Sequence, residues 1–164
     1  MSEKKQDWFE SESFWAEYSP VLFDAQRWAE APNVAESVLR IIGAPSRDIH
    51  DDTAPAADSP YGAAGPAILD AGCGPGRISV ELASRGARVT GVDIIRPFLN
   101  AALESAEDEG VKLDLVQADL RSFVRPESFD AAVSLYTSFG YCDTIEEDLQ
   151  ILKNIAASVK KGGW

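Results

Sequence analysis

The sequence is short of several residues on which familiar chemistries rest. It has two cysteines, Cys73 and Cys142, a single histidine, His50, and 15 lysines and arginines against 27 aspartates and glutamates. Two cysteines cannot build a disulfide framework, so a reducing cytoplasm is the expected setting. With one histidine beside them they give no basis for a zinc site, and no metal is expected. Basic residues form no patch, since Lys4-Lys5 and Lys160-Lys161 are only pairs. At a net charge of -12 the chain repels polyanions, which argues against nucleic acid and against an anionic membrane as partners. No apolar run approaches the roughly 20 residues of a membrane span, and the start, Met1 to Trp8, is charged rather than signal-like. What is present is ordinary for a soluble protein: 164 residues, 45% of them hydrophobic, enough for one domain with a real core.

Residues 1–43 read as an N-terminal helical cap. Trp8, Phe9, Phe14, Trp15 and Tyr18 make an aromatic-rich start, Val21, Leu22 and Phe23 follow Pro20, and a third helix is expected after Pro32. In that helix Val34, Val38, Ile41 and Ile42 share a stripe and Gly43 ends it. These apolar faces need a partner later in the chain. Residues 44–66 turn to Pro, Ala, Asp, Ser and Gly and are expected to form a flexible loop. From 67 to 164 short apolar runs alternate with helical spacing. Strands are expected at Ala67–Leu69, Arg88–Val92, Leu113–Gln117 and Phe129–Leu135. Helices are expected at Arg77–Arg85, Pro97–Glu109 and Glu146–Val159, the last with Leu149, Leu152, Ile155 and Ala156 inward. This order predicts an α/β, Rossmann-like fold, a mostly parallel sheet with helices on both faces.

The strongest motif, Asp70-Ala71-Gly72-Cys73-Gly74-Pro75-Gly76-Arg77, lies where the first strand gives way to a helix. Glycines there let the backbone turn sharply and approach a ligand, and the helix start offers unpaired N–H groups. A dinucleotide fingerprint needs G-x-G-x-x-G, whereas here the third glycine falls one place early and Arg77 stands in its position. The second strand ends at Asp93, slightly short of the spacing at which an acid reaches a ribose diol, and Ile94 can pack on a flat base. The third ends at Ala118-Asp119-Leu120, where an acid can accept from an exocyclic amine. Asp93 or Asp119 alone would read as a helix cap. Asp70, Asp93 and Asp119 at three successive strand ends share one crevice of an open α/β sheet.

The run Ile68 to Arg77, then Val89-Thr90-Gly91-Val92-Asp93, Ala118-Asp119, Phe129-Asp130 leading to Ser138-Phe139-Gly140-Tyr141, and Lys161-Gly162-Gly163 together resemble class I S-adenosylmethionine-dependent methyltransferases of the small-molecule type. The likeness spans about Phe14 to Trp164 and is dense from Ala67 onward. It implies S-adenosyl-L-methionine as cofactor, the Gly72, Gly74 and Gly76 loop around its methionine part, Asp93 on the ribose, and Asp119 with the Leu120 amide reading adenine. It further implies that Leu135 lies beside the sulfonium and that Tyr18, with Phe14 or Trp15, folds over the cofactor as a lid. Phe14, Tyr136, Ser138 and Tyr141 are candidates for the acceptor side, although the residues after the fourth strand could equally shape a turn. The acids and aromatics suit a sulfonium cation better than phosphates.

Neither the Asn/Asp-Pro-Pro-Tyr/Phe motif of amino-methylating enzymes on nucleobases and amides nor the Pro-Cys nucleophile of cytosine C5 enzymes is present. A small-molecule methyl acceptor, methylated on O, N or C, is therefore expected, and no catalytic residue is assigned. His50, among Asp48, Asp51 and Asp52, is read as part of a solvated loop, since a flexible segment positions chemistry poorly. Class I methyltransferases use seven strands, and Lys160-Lys161-Gly162-Gly163 resembles the turn that introduces the fifth. The likeness thus implies an incomplete seven-stranded fold, C-terminally truncated after its first four strands. Its fourth strand would be left as an open edge favouring a homo-oligomer. The other readings are a non-catalytic S-adenosylmethionine-binding or partner-regulating module and, disfavoured by Arg77, an NAD-dependent oxidoreductase.

Overall fold

A computed structural model describes residues 7–46, 60–62, 64–136 and 138–164. At its centre is β1 (Ala67–Ala71), every residue of which is buried. It pairs in parallel with β2 (Arg88–Asp93) on one side and β4 (Ala131–Val133) on the other; β2 in turn pairs with β3 (Leu113–Gln117), giving the order β3-β2-β1-β4. Such a strand must be apolar on both faces, which is why Ile68 and Leu69 stand side by side. Ile68 packs with α2 (Ala25–Ile41) and α3 (Arg77–Ser84), while Leu69 and Ala71 pack on the other face with Ile155 of α5 (Ile145–Ser158). Helix α4 (Arg96–Asp108) lies against α3, β2 and β3. The strand order reverses between β1 and β4, so a crevice opens at the carboxyl ends of the strands.

The N-terminal cap differs from the expected three helices. After a 3₁₀ turn at Trp8–Glu10 the chain forms α1 (Glu12–Leu22) and α2, and Pro20 and Pro32 lie inside them. Pro20 has no N–H for the Ala16 carbonyl, but the neighbouring Ser19 hydroxyl donates to that oxygen at 3.4 Å. The break falls instead at Asp24, whose carboxylate caps α2 by accepting from Arg27 N–H at 2.8 Å. Ala31, Ala35, Val38, Leu39 and Ile42 face the core, and Ile41 is exposed. Asp48, His50, Asp51 and Asp52 lie outside the described residues; at the far end of the 44–66 segment, Tyr61 packs on the core and donates its hydroxyl hydrogen to the Ile42 carbonyl.

Strand β4 is shorter than the expected Phe129–Leu135: Phe129 pairs with Val159 instead, and the ladder ends at Val133, ahead of a positive φ at Tyr136. Its outer edge is engaged: Trp164 N–H donates to the Asp130 carbonyl at 3.1 Å, and its carbonyl accepts from Ala132 N–H at 2.9 Å, the spacing of a parallel neighbour.

The inward face of α5 is also corrected. Leu149 and Leu152 are 46% and 44% exposed and Ala156 is exposed, whereas Ile151, Asn154 and Ser158 are buried. Polar groups turn inward because the loop after β3 presents carbonyls there: Asn154 Nδ2 donates to Leu120 O at 3.0 Å and Arg121 O at 2.9 Å. Ser158 Oγ accepts from Arg125 N–H at 3.0 Å. Asn154→Leu should therefore cost about 1–3 kcal/mol in urea unfolding by stranding both carbonyls, while Leu152→Asn should change stability by less than about 0.5 kcal/mol. The reverse order of the two would contradict this phase of the helix.

Candidate cofactor site

The turn after β1 is fixed to the end of β2. The Val92 carbonyl accepts from Gly72 N–H at 2.8 Å and Cys73 N–H at 3.0 Å, and Asp93 Oδ2 accepts from Gly74 N–H at 2.8 Å. Asp93 Oδ1 caps the start of the next segment by accepting from Ile95 N–H at 2.9 Å. Two glycines are required sterically. A Cβ on Gly72 would come within 2.5 Å of Ser138 Cβ, and one on Gly76 within 2.5 Å of Ala102 Cβ, both at φ +79°. Ser138 Oγ donates to the Gly72 carbonyl at 2.9 Å and so ties the segment after β4 to the glycine turn.

Above these strand ends lies a cleft open to solvent. Of the residues singled out in the sequence, Gly72, Gly74, Asp93, Ile94, Asp119, Leu120, Ser138 and Tyr141 line it. Asp70 is buried behind the turn, holding Ser79 Oγ at 2.6 Å. Arg77 is buried too, its guanidinium donating to the Arg27 carbonyl and lying 4.3 Å from the centre of the Tyr136 ring. Gly76, Leu135, Tyr136, Tyr18 and Phe14 stand outside the lining; Tyr18 stacks on Phe14 at 4.7 Å and is half exposed. Trp15 does line the cleft, together with Phe9, Phe23 and Phe98, aromatic side chains that sequence spacing could not bring to one place.

Arg121 is the residue that sequence reading missed. Its Nε donates to Asp119 Oδ2 at 2.8 Å, and its terminal nitrogens meet Asp7, Glu10 and Glu147 at 2.8, 3.0 and 3.3 Å. The available signal was its place two residues after a strand-end acid in a chain rich in carboxylates.

The donor set can be tested against the cofactor implied by the motif. Asp93 and Asp119 offer carboxylate oxygens to hydroxyl and amine donors. Ile94 and Phe98 offer apolar surface, and the lining's only cation among the described residues, Arg121, is already matched by carboxylates. Such a lining fits a cationic nucleoside and disfavours a polyphosphate. Burial raises the Asp93 pKa despite the backbone N–H groups bonded to it, and drives the Cys73 thiol up, which keeps that sulfur protonated at neutral pH. Among the described residues no group of histidines, cysteines and acids is arranged to hold a metal.

Burial pushes Asp70 from its ordinary 3.8 to about 6, with the neighbouring Asp93 charge adding to the rise and Ser79 opposing it. The folded chain thus holds this proton more tightly than the unfolded chain. That contribution is full below about pH 4 and lost as pH rises through about 6, a difference of roughly 3 kcal/mol. Between pH 4 and 7.5, Asp70→Asn should lose less stability than the parent chain by about 1–3 kcal/mol in urea unfolding. Parallel pH profiles for the two would show that Asp70 is not buried as a carboxylate.

Comparison with known proteins agrees with this geometry. The methyltransferase-domain family matches residues 68–163. A cypemycin N-terminal methyltransferase from a Streptomyces species is 35% identical over 99 residues, which are 60% of this chain and 40% of that protein. A ubiquinone biosynthesis O-methyltransferase from Aeromonas salmonicida is 33% identical over 108 residues, 65% of this chain and 44% of that protein. The chain thus spans less than half the length of these curated relatives. A methyltransferase from Thiobacillus denitrificans, solved with S-adenosyl-L-homocysteine, is 27% identical at a TM-score of 0.51, covering 61% of this chain and 40% of that one. A Methanococcus maripaludis structure, 21% identical at a TM-score of 0.66 over 99% of this chain and 64% of its own, shares the fold. With the glycine turn, the strand-end acids and the family match in agreement, the chain belongs to the class I S-adenosylmethionine-dependent methyltransferase domain family.

Proposed function

We propose that the protein transfers a methyl group from S-adenosyl-L-methionine to an O, N or C nucleophile of a small-molecule acceptor by in-line displacement. The observation that carries this reading is the convergence of Asp93, Asp119 and the Gly72–Gly74 turn on one cleft at the carboxyl ends of parallel strands. The cofactor supplies a methyl group already activated on a sulfonium. The protein's part is to hold both reactants, and a well-aligned approach at about 3–3.5 Å can account for much of the acceleration.

In this reading Asp93 accepts from the ribose hydroxyls, Ile94 packs on the base, and Asp119 with the Leu120 amide reads the adenine edge. The Gly72 and Gly74 turn takes the methionine part, where a side chain would collide with Ser138 or crowd Phe23. Leu135, which packs against the core outside the lining, is assigned to the sulfonium side on the family resemblance alone. Trp15 and Phe9 close the cleft from the N-terminal cap, with Tyr18 and Phe14 stacked behind them. Ser138 and Tyr141 border the acceptor side; Tyr136, packed against Arg27 and Arg77, is assigned to the same side on the family resemblance alone.

The net charge of -12 favours a small acceptor over nucleic acid, and no helix of the described residues is long and apolar enough to cross a membrane. We place the protein in the cytoplasm on the strength of its two free cysteines. One relative is named an N-terminal methyltransferase and another an O-methyltransferase, and the reading covers O, N and C acceptors alike.

Titration calorimetry with S-adenosyl-L-homocysteine should show binding to the chain, loss of at least tenfold in Asp93→Ala, an intermediate loss in Asp93→Asn, and no heat with NAD. Binding of NAD in preference would overturn the assignment. Cofactor binding without turnover of small amines, phenols or carbon acids would favour the non-catalytic module instead.

A further inference from the structure

We propose that Arg121 is a positioning residue for the cofactor cleft: one guanidinium both fixes Asp119 as a hydrogen-bond acceptor and draws the N-terminal segment over the cleft. The inference rests on the reading that the cleft takes a nucleoside cofactor.

Arg121 follows β3 by four residues, and its backbone is pinned twice. Its N–H donates to Asp119 Oδ1 at 2.8 Å, and its carbonyl accepts from Asn154 Nδ2 at 2.9 Å. The side chain, only 13% exposed, then meets four carboxylates from three parts of the chain. Asp119 Oδ2 lies 2.8 Å from Nε and 2.7 Å from Nη2. Glu147 Oε1, in the first turn of α5, lies 3.3 Å from Nη1. Asp7 and Glu10, which bracket the 3₁₀ turn, lie 2.8 and 3.0 Å from the terminal nitrogens. The guanidinium also covers the Phe9 ring, 5.1 Å from its centre.

Four acids around one cation leave an excess of negative charge, so the guanidinium gathers groups that would otherwise repel one another. With it removed, Asp7 and Glu10 would repel Asp119 and Glu147, and the turn carrying Phe9 would be held to the cleft by its aromatic contacts and the Trp15 indole alone, and so more loosely. Asp119 would at the same time lose the side-chain donor on its Oδ2 and keep the Arg121 backbone N–H on Oδ1. A carboxylate held in one orientation accepts hydrogen bonds there and cannot donate them, which favours a 6-amino purine over a 6-oxo purine at that edge. The planar fork is essential to this double duty, since a lysine ammonium cannot engage Asp119 side-on while reaching two other segments.

Two variants separate the two tasks. Arg121→Gln removes both, and Asp7→Asn with Glu10→Gln releases the N-terminal segment while leaving Arg121 on Asp119. Affinity for S-adenosyl-L-homocysteine and for S-inosyl-L-homocysteine is measured by calorimetry, and amide exchange over residues 7–22 by mass spectrometry. The parent chain must first bind S-adenosyl-L-homocysteine; failure there sinks the cofactor reading itself. Given that binding, Arg121→Gln should weaken it at least tenfold, reduce the preference for the adenosyl ligand, and speed exchange over 7–22 while β1 and β2 stay protected. Arg121→Lys should recover only part of the affinity. The Asp7→Asn, Glu10→Gln double variant should speed exchange over 7–22 and keep the adenosyl preference. Parent-like affinity and exchange in Arg121→Gln, or a loss of affinity matched by lost protection throughout β1 and β2, would overturn the proposal.

Discussion

The site depends on one carbonyl. Val92 O, at the end of β2, accepts from both Gly72 and Cys73 N–H groups, so the chain leaving β1 is bent toward its neighbour instead of continuing upward. That bend requires a positive φ at Gly72 and brings the next N–H, that of Gly74, onto the Asp93 carboxylate. The glycine turn and the second acid are therefore parts of one hydrogen-bonded object. Parallel pairing of β1 with β2 and β4 supplies the frame, because it sends every strand end to the same edge of the sheet.

A second layer of constraints holds the cleft's far side. The loop after β3 has few backbone partners, and α5 compensates by turning Asn154 inward to take two of its carbonyls. The segment after β4 is held by Ser138 on Gly72, in space kept open by the absence of a side chain there. Tyr141 then meets Trp8 at 4.9 Å and Phe9 at 6.3 Å, so the N-terminal cap reaches the cleft through aromatic contacts as well as through Arg121.

What was legible in the sequence was local or periodic. The fully apolar strand, the glycine spacing and the acids at strand ends each follow from a rule of backbone geometry, and the α/β fold with its parallel sheet follows from their order. Three features were not legible. Prolines inside α1 and α2 look like helix stops unless the rescuing Ser19 and the true cap at Asp24 are weighed. The inward phase of α5 was misjudged because Leu149 and Leu152 look like core, whereas the residue that the loop needs is an asparagine. Arg121, Phe9 and Phe98 reach the cleft from separate segments, and no spacing rule connects them.

The electrostatics of the cleft bear on what it can select. Burial raises the pKa of both Asp70 and Asp93, so each ionised carboxylate is held at a cost to the folded chain. A ligand that brings positive charge to Asp93, the one of the two that lines the cleft, recovers part of that cost on binding, because the charge that stabilises the carboxylate is stabilised by it. A ligand that brings phosphates adds to it instead, and among the described residues of the lining finds one cation, Arg121, whose three nitrogens already face carboxylates. On the proposed reading, the stability forgone in burying Asp93 thus becomes selectivity by charge.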